Sequence, residues 1–174
     1  MLQSSAFGAY DTEKVVAHAR SYVREFEKAG IPRDRICIKI PSTGPALNAS
    51  PILLKEGIRT LGTSLFSVAQ AIAASQAGCL SISPYYNCKA SRDYHTVLAD
   101  NRINWNLLIV PWYHADRSQW PDVEDPALYH PMSPRLVQIQ QVYRQLREHT
   151  GKEQPLLKPA RYETMMKSRM TVVI

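Results

Sequence analysis

Arg35-Ile36-Cys37-Ile38-Lys39-Ile40-Pro41-Ser42-Thr43 decides how the rest of the chain is read. Ile36, Ile38 and Ile40 alternate with Cys37 and Lys39, the period of a β-strand. Successive side chains of a strand point to opposite faces, so the isoleucines share one face and Cys37 and Lys39 the other. Cysteine itself prefers burial. Neither face therefore reads as a solvent face, and the strand is expected to be covered on both sides. Lys39 then stands at the end of a covered strand, just before a polar Pro-Ser-Thr loop. Two readings of that lysine are open. Burial disfavours an ammonium and makes a lysine a usable amine nucleophile toward a carbonyl. Alternatively, the long side chain snorkels to the strand end and keeps its charge in water.

Composition narrows the classes. The 174 residues suffice for one domain with a sizeable core. Hydrophobic residues make up 45% and charged residues 21%, an ordinary globular balance. No apolar run approaches the ~20 residues of a membrane span. Met1-Leu2-Gln3-Ser4-Ser5 lacks the basic and apolar regions of a signal peptide. The cysteines, Cys37, Cys79 and Cys88, are odd in number and have no CxxC spacing, which fits reduced thiols in a cytoplasmic protein. The net charge of +6 comes from basic residues scattered without a dense run or nucleic-acid motif, so no nucleic-acid partner is expected. His95, His114, His130 and His149 show no ligand spacing with the cysteines, and no metal is expected. Trp105, Trp112 and Trp120 lack the basic interleaving of a stacking platform and read as core cover.

Outward from the lysine strand, local signals alternate. Asp11-Thr12-Glu13 opens a helix carrying Val15, Ala19, Tyr22 or Val23, and Phe26, and Gly30 and Pro32 stop it. Ser50-Pro51 reads as an N-cap with proline at the first helical position, and Gly57 ends that helix. Thr60 to Phe66 is a strand, Ser67 to Ala74 a helix closed by Gly78, and Cys79 to Ser83 a strand closed by Pro84. This is a parallel α/β layout, and Lys39, Thr63 and Ser83 all fall toward strand carboxyl ends, where such folds carry their sites. Residues 88–133 form an irregular excursion, within which Asn106 to Val110 is a short apolar element. Ser133-Pro134 starts a helix with Leu136, Ile139, Tyr143 and Leu146 on one stripe, ending at Gly151. Pro155 to Ala160 reads as a further strand. Met170 to Ile174 resembles another, but only Arg161 to Arg169 would connect them, less than a parallel crossover needs. Residues 165–174 are therefore read either as a further strand with an abnormal connection or as an atypical tail, on a single domain spanning 1–174.

These blocks resemble the transaldolase family. Tyr10-Asp11-Thr12-Glu13, the lysine stretch itself, Lys55-Glu56-Gly57-Ile58, Leu65-Phe66-Ser67-Val68-Ala69-Gln70-Ala71, and Ala77-Gly78 through Ile82-Ser83-Pro84-Tyr85 follow the family's order without gaps. From Asn106 to Ala160 the match is weaker but still in order. The resemblance implies a partial TIM (β/α)₈ barrel corresponding to the fourth to seventh strands, with a remnant of the eighth as a further option. The N-terminal half of the barrel would be missing. It also implies that Lys39 is the Schiff-base lysine of a transferase that moves a dihydroxyacetone unit between sugar phosphates, as in the pentose phosphate pathway. An imine supplies its own electron sink, so no cofactor is implied. Thr63 matches a threonine that helps hold a catalytic water. Ser83 matches a serine near the substrate phosphate, and Tyr85 stands where the family often has phenylalanine.

Departures accompany the match. Leu61 replaces a substrate-contacting asparagine, Cys88 a phosphate-binding arginine, and Glu163 aligns loosely with a second such arginine. Lys89, Arg92 or Arg161 would have to substitute. Gln3 falls about where the family has a glutamate, and an amide is no general base at neutral pH. Tyr85 or Asp93, or a second chain, would have to supply acid–base groups. A barrel of this type takes at least about 200 residues. A shorter one leaves strand edges that invite pairing, so a homo-oligomer covering the open edges is expected. Two functions follow: Schiff-base chemistry on a sugar or sugar phosphate, impaired or redirected to a specialised substrate; or a non-catalytic homologue acting as an accessory or binding protein.

Overall fold

The computed structural model describes residues 2–84 and 133–158. Their strands are β1 (Leu2–Gln3), β2 (Cys37–Pro41), β3 (Arg59–Leu65), β4 (Ser81–Pro84) and β5 (Leu156–Leu157). The helices are α1 (Thr12–Lys28), α2 (Gly44–Lys55), α3 (Val68–Gln76) and α4 (Ser133–Thr150). All neighbouring strands pair in parallel, in the spatial order β1-β2-β3-β4-β5. Chain order thus equals spatial order among the described strands. An open doubly wound sheet reverses its order at a switch point. A sheet that only advances, with a helix between each successive pair of described strands, is consistent with part of a (β/α)₈ barrel.

One face of the sheet carries the core. Ile36, Ile38, Ile40, Ile82 and Leu157 pack against Val15, Ala19 and Val23 of α1, Ala46, Ala49 and Leu53 of α2, Ala71 and Ala74 of α3, and Leu136, Ile139 and Tyr143 of α4. The alternation in β2 sends its isoleucines to this helix-covered face. Tyr143 also fastens α4 to α3, because its buried hydroxyl donates to the Ala71 carbonyl at 2.7 Å. Burial pushes that phenol well above its ordinary range. Tyr143→Phe is expected to cost about 1 kcal/mol, the usual net worth of such a bond, read as a lower urea midpoint at unchanged slope.

Local chemistry sets the boundaries. The Asp11 carboxylate accepts from the Lys14 amide at 3.0 Å and starts α1 where the sequence indicates. Its interactions with Lys14 hold the Asp11 carboxyl below its usual range. At the end of α3, the Cys79 amide donates to Ala74 O and the Gly78 amide to Ser75 O, with Gly78 at φ +74°. This is a Schellman closure. It occupies the Cys79 amide in the helix cap, and so β4 begins at Ser81 rather than at Cys79.

The start of α2 differs from expectation. The helix begins at Gly44, with Thr43 as its cap: Thr43 Oγ1 accepts from the Ala46 amide at 3.3 Å and donates to the Ala9 carbonyl. Ser50 and Pro51 lie inside it. Pro51 is exposed, whereas Ser50 is fully buried and its hydroxyl bonds Thr60 Oγ1 of β3, with Cys79 Sγ at 3.6 Å. Ser50 thus faces the sheet from within the helix rather than standing at its start.

The last strand is also shorter than expected, Leu156–Leu157 against Pro155 to Ala160, with Pro159 and Ala160 outside the described residues. β1, two residues long, is not announced by any local period. The expected excursion (to residue 132), the apolar element within it, the expected Met170–Ile174 strand and the tail at 165–174 lie outside the described residues. No helix of the described residues is long and apolar enough to cross a membrane.

Candidate active site

Residues in register on neighbouring strands present side chains to the same face. Gln3, Lys39, Leu61 and Ser81 form one such row across β1 to β4. Pro41 and Thr63 are the next pair toward the carboxyl ends, and Cys37 and Arg59 the pair toward the amino ends. All lie on the face away from the isoleucines, the inner face. Lys39 is half-buried there, between exposed Gln3 and Leu61, which is 1% exposed and does not belong to the helix-side core. Strand spacing and rise put the Thr63 Cα about 8 Å from that of Lys39, diagonally across and toward the carboxyl edge. A lysine side chain spans most of that distance.

The carboxyl edge is where the sheet is irregular. Gly62 pairs with Ile82 but Leu65 with Pro84, so β3 carries a bulge against β4. Ser64, within the bulge, has φ +51°, the left-handed region that a non-glycine residue enters only under constraint. Ser83, two residues beyond Ser81, returns to the inner face and is 6% exposed. β2 and β3 are joined beyond their ladder, since the Ser42 amide donates to Thr63 O at 2.6 Å. Similarly, the Ser4 amide donates to Lys39 O at 2.8 Å. Among the described residues the buried hydroxyls of Ser4, Ser42 and Thr63 have no hydrogen-bond partner. Ser4 and Ser42 fall on the helix side by alternation, leaving Thr63 as the unpartnered hydroxyl on the face of Lys39. An unpaired buried hydroxyl costs free energy unless something polar meets it.

The two described thiols, Cys37 and Cys79, are not activated. Burial pushes Cys37 up, against a smaller opposing effect of Arg59 and Lys158. Burial likewise raises Cys79, despite hydrogen bonds from Thr60 and Ser50. Both remain protonated at neutral pH.

Lys39, Thr63 and Ser83 are thus brought to one face and toward one edge. Tyr85 lies outside the described residues, as do Cys88, Lys89, Arg92, Asp93, Arg161 and Glu163. The sequence reading passed over Ser81, which shares the row of Lys39, although Ser81-Ile82-Ser83 shows the same period as the lysine strand. It also passed over Arg59, whose Nε is buried and unpartnered among the described residues.

The family profile of Transaldolase/Fructose-6-phosphate aldolase matches residues 1–96, a stretch that contains the whole row of Lys39. The chain belongs to that family. Within the transaldolase/fructose-6-phosphate aldolase family, a transaldolase of Aeromonas salmonicida is 44% identical over 93 residues, 49% of this chain and 29% of that protein. One of Nostoc punctiforme is 37% identical over 122 residues, 69% of this chain and 30% of its own length. One of Glaesserella parasuis is 34% identical over 143 residues, 81% of this chain and 36% of its own length. The chain therefore spans about a third of the transaldolases it matches.

Proposed function

We propose that the chain carries out transaldolase-type chemistry through a Schiff base on Lys39, with a ketose or ketose phosphate as donor. The observation that carries the reading is the placement of Lys39 on the inner face, in a family-matched segment, diagonal to an unpartnered Thr63 hydroxyl. The Lys39 amine attacks the donor carbonyl and forms a carbinolamine. Loss of water gives the protonated imine, with Thr63 holding the water that takes and returns protons. The imine draws in the electron pair as the carbon–carbon bond breaks. An aldehyde departs and a dihydroxyacetone enamine remains on Lys39. The enamine adds to an acceptor aldehyde, and hydrolysis of the new imine frees the product and the amine. Ser83 and Tyr85 are assigned to the substrate, and β2 to β5 are assigned as the fourth to seventh strands of the family's barrel, with β1 at the end of the third. A second copy covering the open edges belongs to the same proposal.

A second reading is a non-catalytic homologue. It is favoured by the row itself, where Leu61 and Gln3 flank the amine and neither can move a proton. One experiment separates the two. The protein is incubated with fructose 6-phosphate, and in parallel with dihydroxyacetone, then reduced with borohydride and digested for mass spectrometry. The catalytic reading expects a reduced adduct on the Lys39 peptide. A folded protein without one carries the accessory reading instead.

A further inference from the structure

We infer that Gln70 is a positioning residue for Lys39 and Thr63, an inference that rests on the Schiff-base reading above. Gln70 is in the first turn of α3. Its Oε1 accepts from the amides of Phe66 at 2.9 Å and Ser67 at 3.2 Å, and the Ser67 hydroxyl accepts from the Gln70 amide at 3.2 Å. The Ser67–Gln70 pair is a capping box, which uses only the acceptor end of the carboxamide. The donor end does something a cap does not require. Nε2 donates to Ser42 O at 2.9 Å and to Ser64 O at 3.1 Å.

Those carbonyls belong to the carboxyl ends of β2 and β3. Ser42 follows Lys39 by three residues, and its own amide holds Thr63 O. Ser64 follows Thr63 directly and is the residue in the left-handed conformation. A closed circuit results: Thr63 O to the Ser42 amide, Ser42 O to Gln70, and Gln70 to Ser64 O. With its donor end, Gln70 spans the two strands that bear the amine and the hydroxyl, and it also bonds the strained peptide that follows Thr63. The bulge sets the height of Thr63 relative to Ser83, and the circuit keeps the bulge in place. Gln70 does this from the helix side without touching substrate.

Glutamate at this position separates the two ends of the carboxamide. Gln70→Glu retains the acceptor for Phe66 and Ser67 but sets a carboxylate oxygen against two carbonyl oxygens. The capping box survives while the circuit opens. The test is the rate of borohydride trapping on Lys39 at saturating dihydroxyacetone, for wild type and Gln70→Glu. The maximal rate is expected to fall by about 10- to 100-fold, the cost of a small misplacement of reacting groups. The half-saturating dihydroxyacetone concentration is expected to stay within a factor of two or so, because binding groups are untouched. The variant-to-wild-type rate ratio is expected to rise as pH falls from 8 toward 5, where a protonated glutamate regains a donor.

An unchanged maximal rate in folded Gln70→Glu overturns the inference, as does a loss confined to half-saturation or a ratio flat with pH. Should Gln70→Glu not fold, Gln70→Glu/Ser64→Gly is compared with Ser64→Gly, since glycine enters the left-handed region without support; equal rates in that pair overturn the inference. Absence of any adduct in wild type overturns the Schiff-base reading and this inference together. An adduct in wild type with equal trapping in the variant removes only the role of Gln70.

Discussion

Lys39→Met removes the trapped adduct and leaves the protein folded. Methionine approximates the length and volume of the lysine stem, and it adapts to irregular apolar surroundings. Its neighbour in the row, Leu61, is already apolar and buried. Replacing a half-buried charge by an apolar group of similar shape is close to neutral or stabilising, so the unfolding midpoint should stay within about 1 kcal/mol of wild type. The chemistry behaves differently. Without the amine no imine forms, and trapping should fall by at least about a thousandfold, to the background of surface lysines, as expected when a covalent nucleophile is deleted. Lys39→Arg gives the matched control, because guanidinium keeps the charge but is never deprotonated and forms no imine. Retained trapping in either variant would place the reactive amine elsewhere, on one of the exposed lysines such as Lys55 or Lys158. The combination of silent chemistry and an intact fold is what separates a nucleophile from a snorkelling lysine, whose loss changes neither adduct nor rate.

Much of this arrangement is legible in the amino-acid sequence. A strand of alternating isoleucines announces its own two faces, and a lysine in such a strand is conspicuous because only a specific use or a strand end excuses it. Asp11 and Gly78 mark their helix ends because a cap is a local interaction between residues a few positions apart. The start of α2 was not legible for a related reason. Thr43 and Ser50 each precede a short polar or proline-containing turn, and each is a valid cap taken alone. The contacts that place the two residues are distant in the chain: Thr43 bonds the Ala9 carbonyl, and Ser50 bonds Thr60 of the sheet. Register was equally out of reach. Ser81 joins Lys39 only through two strand pairings, and Gln70 gains its meaning from carbonyls 28 and 6 residues away. The capping box of Ser67 and Gln70 is local, but the donor end of the Gln70 amide is placed by the bulge, and the bulge arises from pairing.

Gly62→Ala is expected to destabilise the protein by about 2 kcal/mol, and Ser42→Ala is expected to restore most of it. Gly62 lies on the helix face of β3, where a Cβ would stand 2.9 Å from Ser42 Oγ, 3.5 Å from Ala74 Cβ and 3.6 Å from Ile82 Cγ2. The last two are ordinary contacts, so the penalty belongs to the serine. Its side chain is short and buried, and its backbone is held by Thr63 O and Gln70, so it has little room to yield. Overpacking of this kind costs about 1–3 kcal/mol. Ser42→Ala alone should be neutral or mildly stabilising, because its buried hydroxyl has no partner among the described residues. Removing that oxygen opens the space the new methyl needs, so the double variant should recover about 1–2 kcal/mol relative to additivity. Urea melts of the four proteins complete the cycle, and additive losses would sink the steric account. The same cycle reaches the chemistry. Gly62 precedes Thr63, and the push from Ser42 acts between β2 and β3. Gly62→Ala should therefore slow trapping on Lys39 even in the folded fraction, and Ser42→Ala should restore it in parallel with stability. If stability returns without the trapping rate, the separation of the two strands is not what sets the geometry between Lys39 and Thr63.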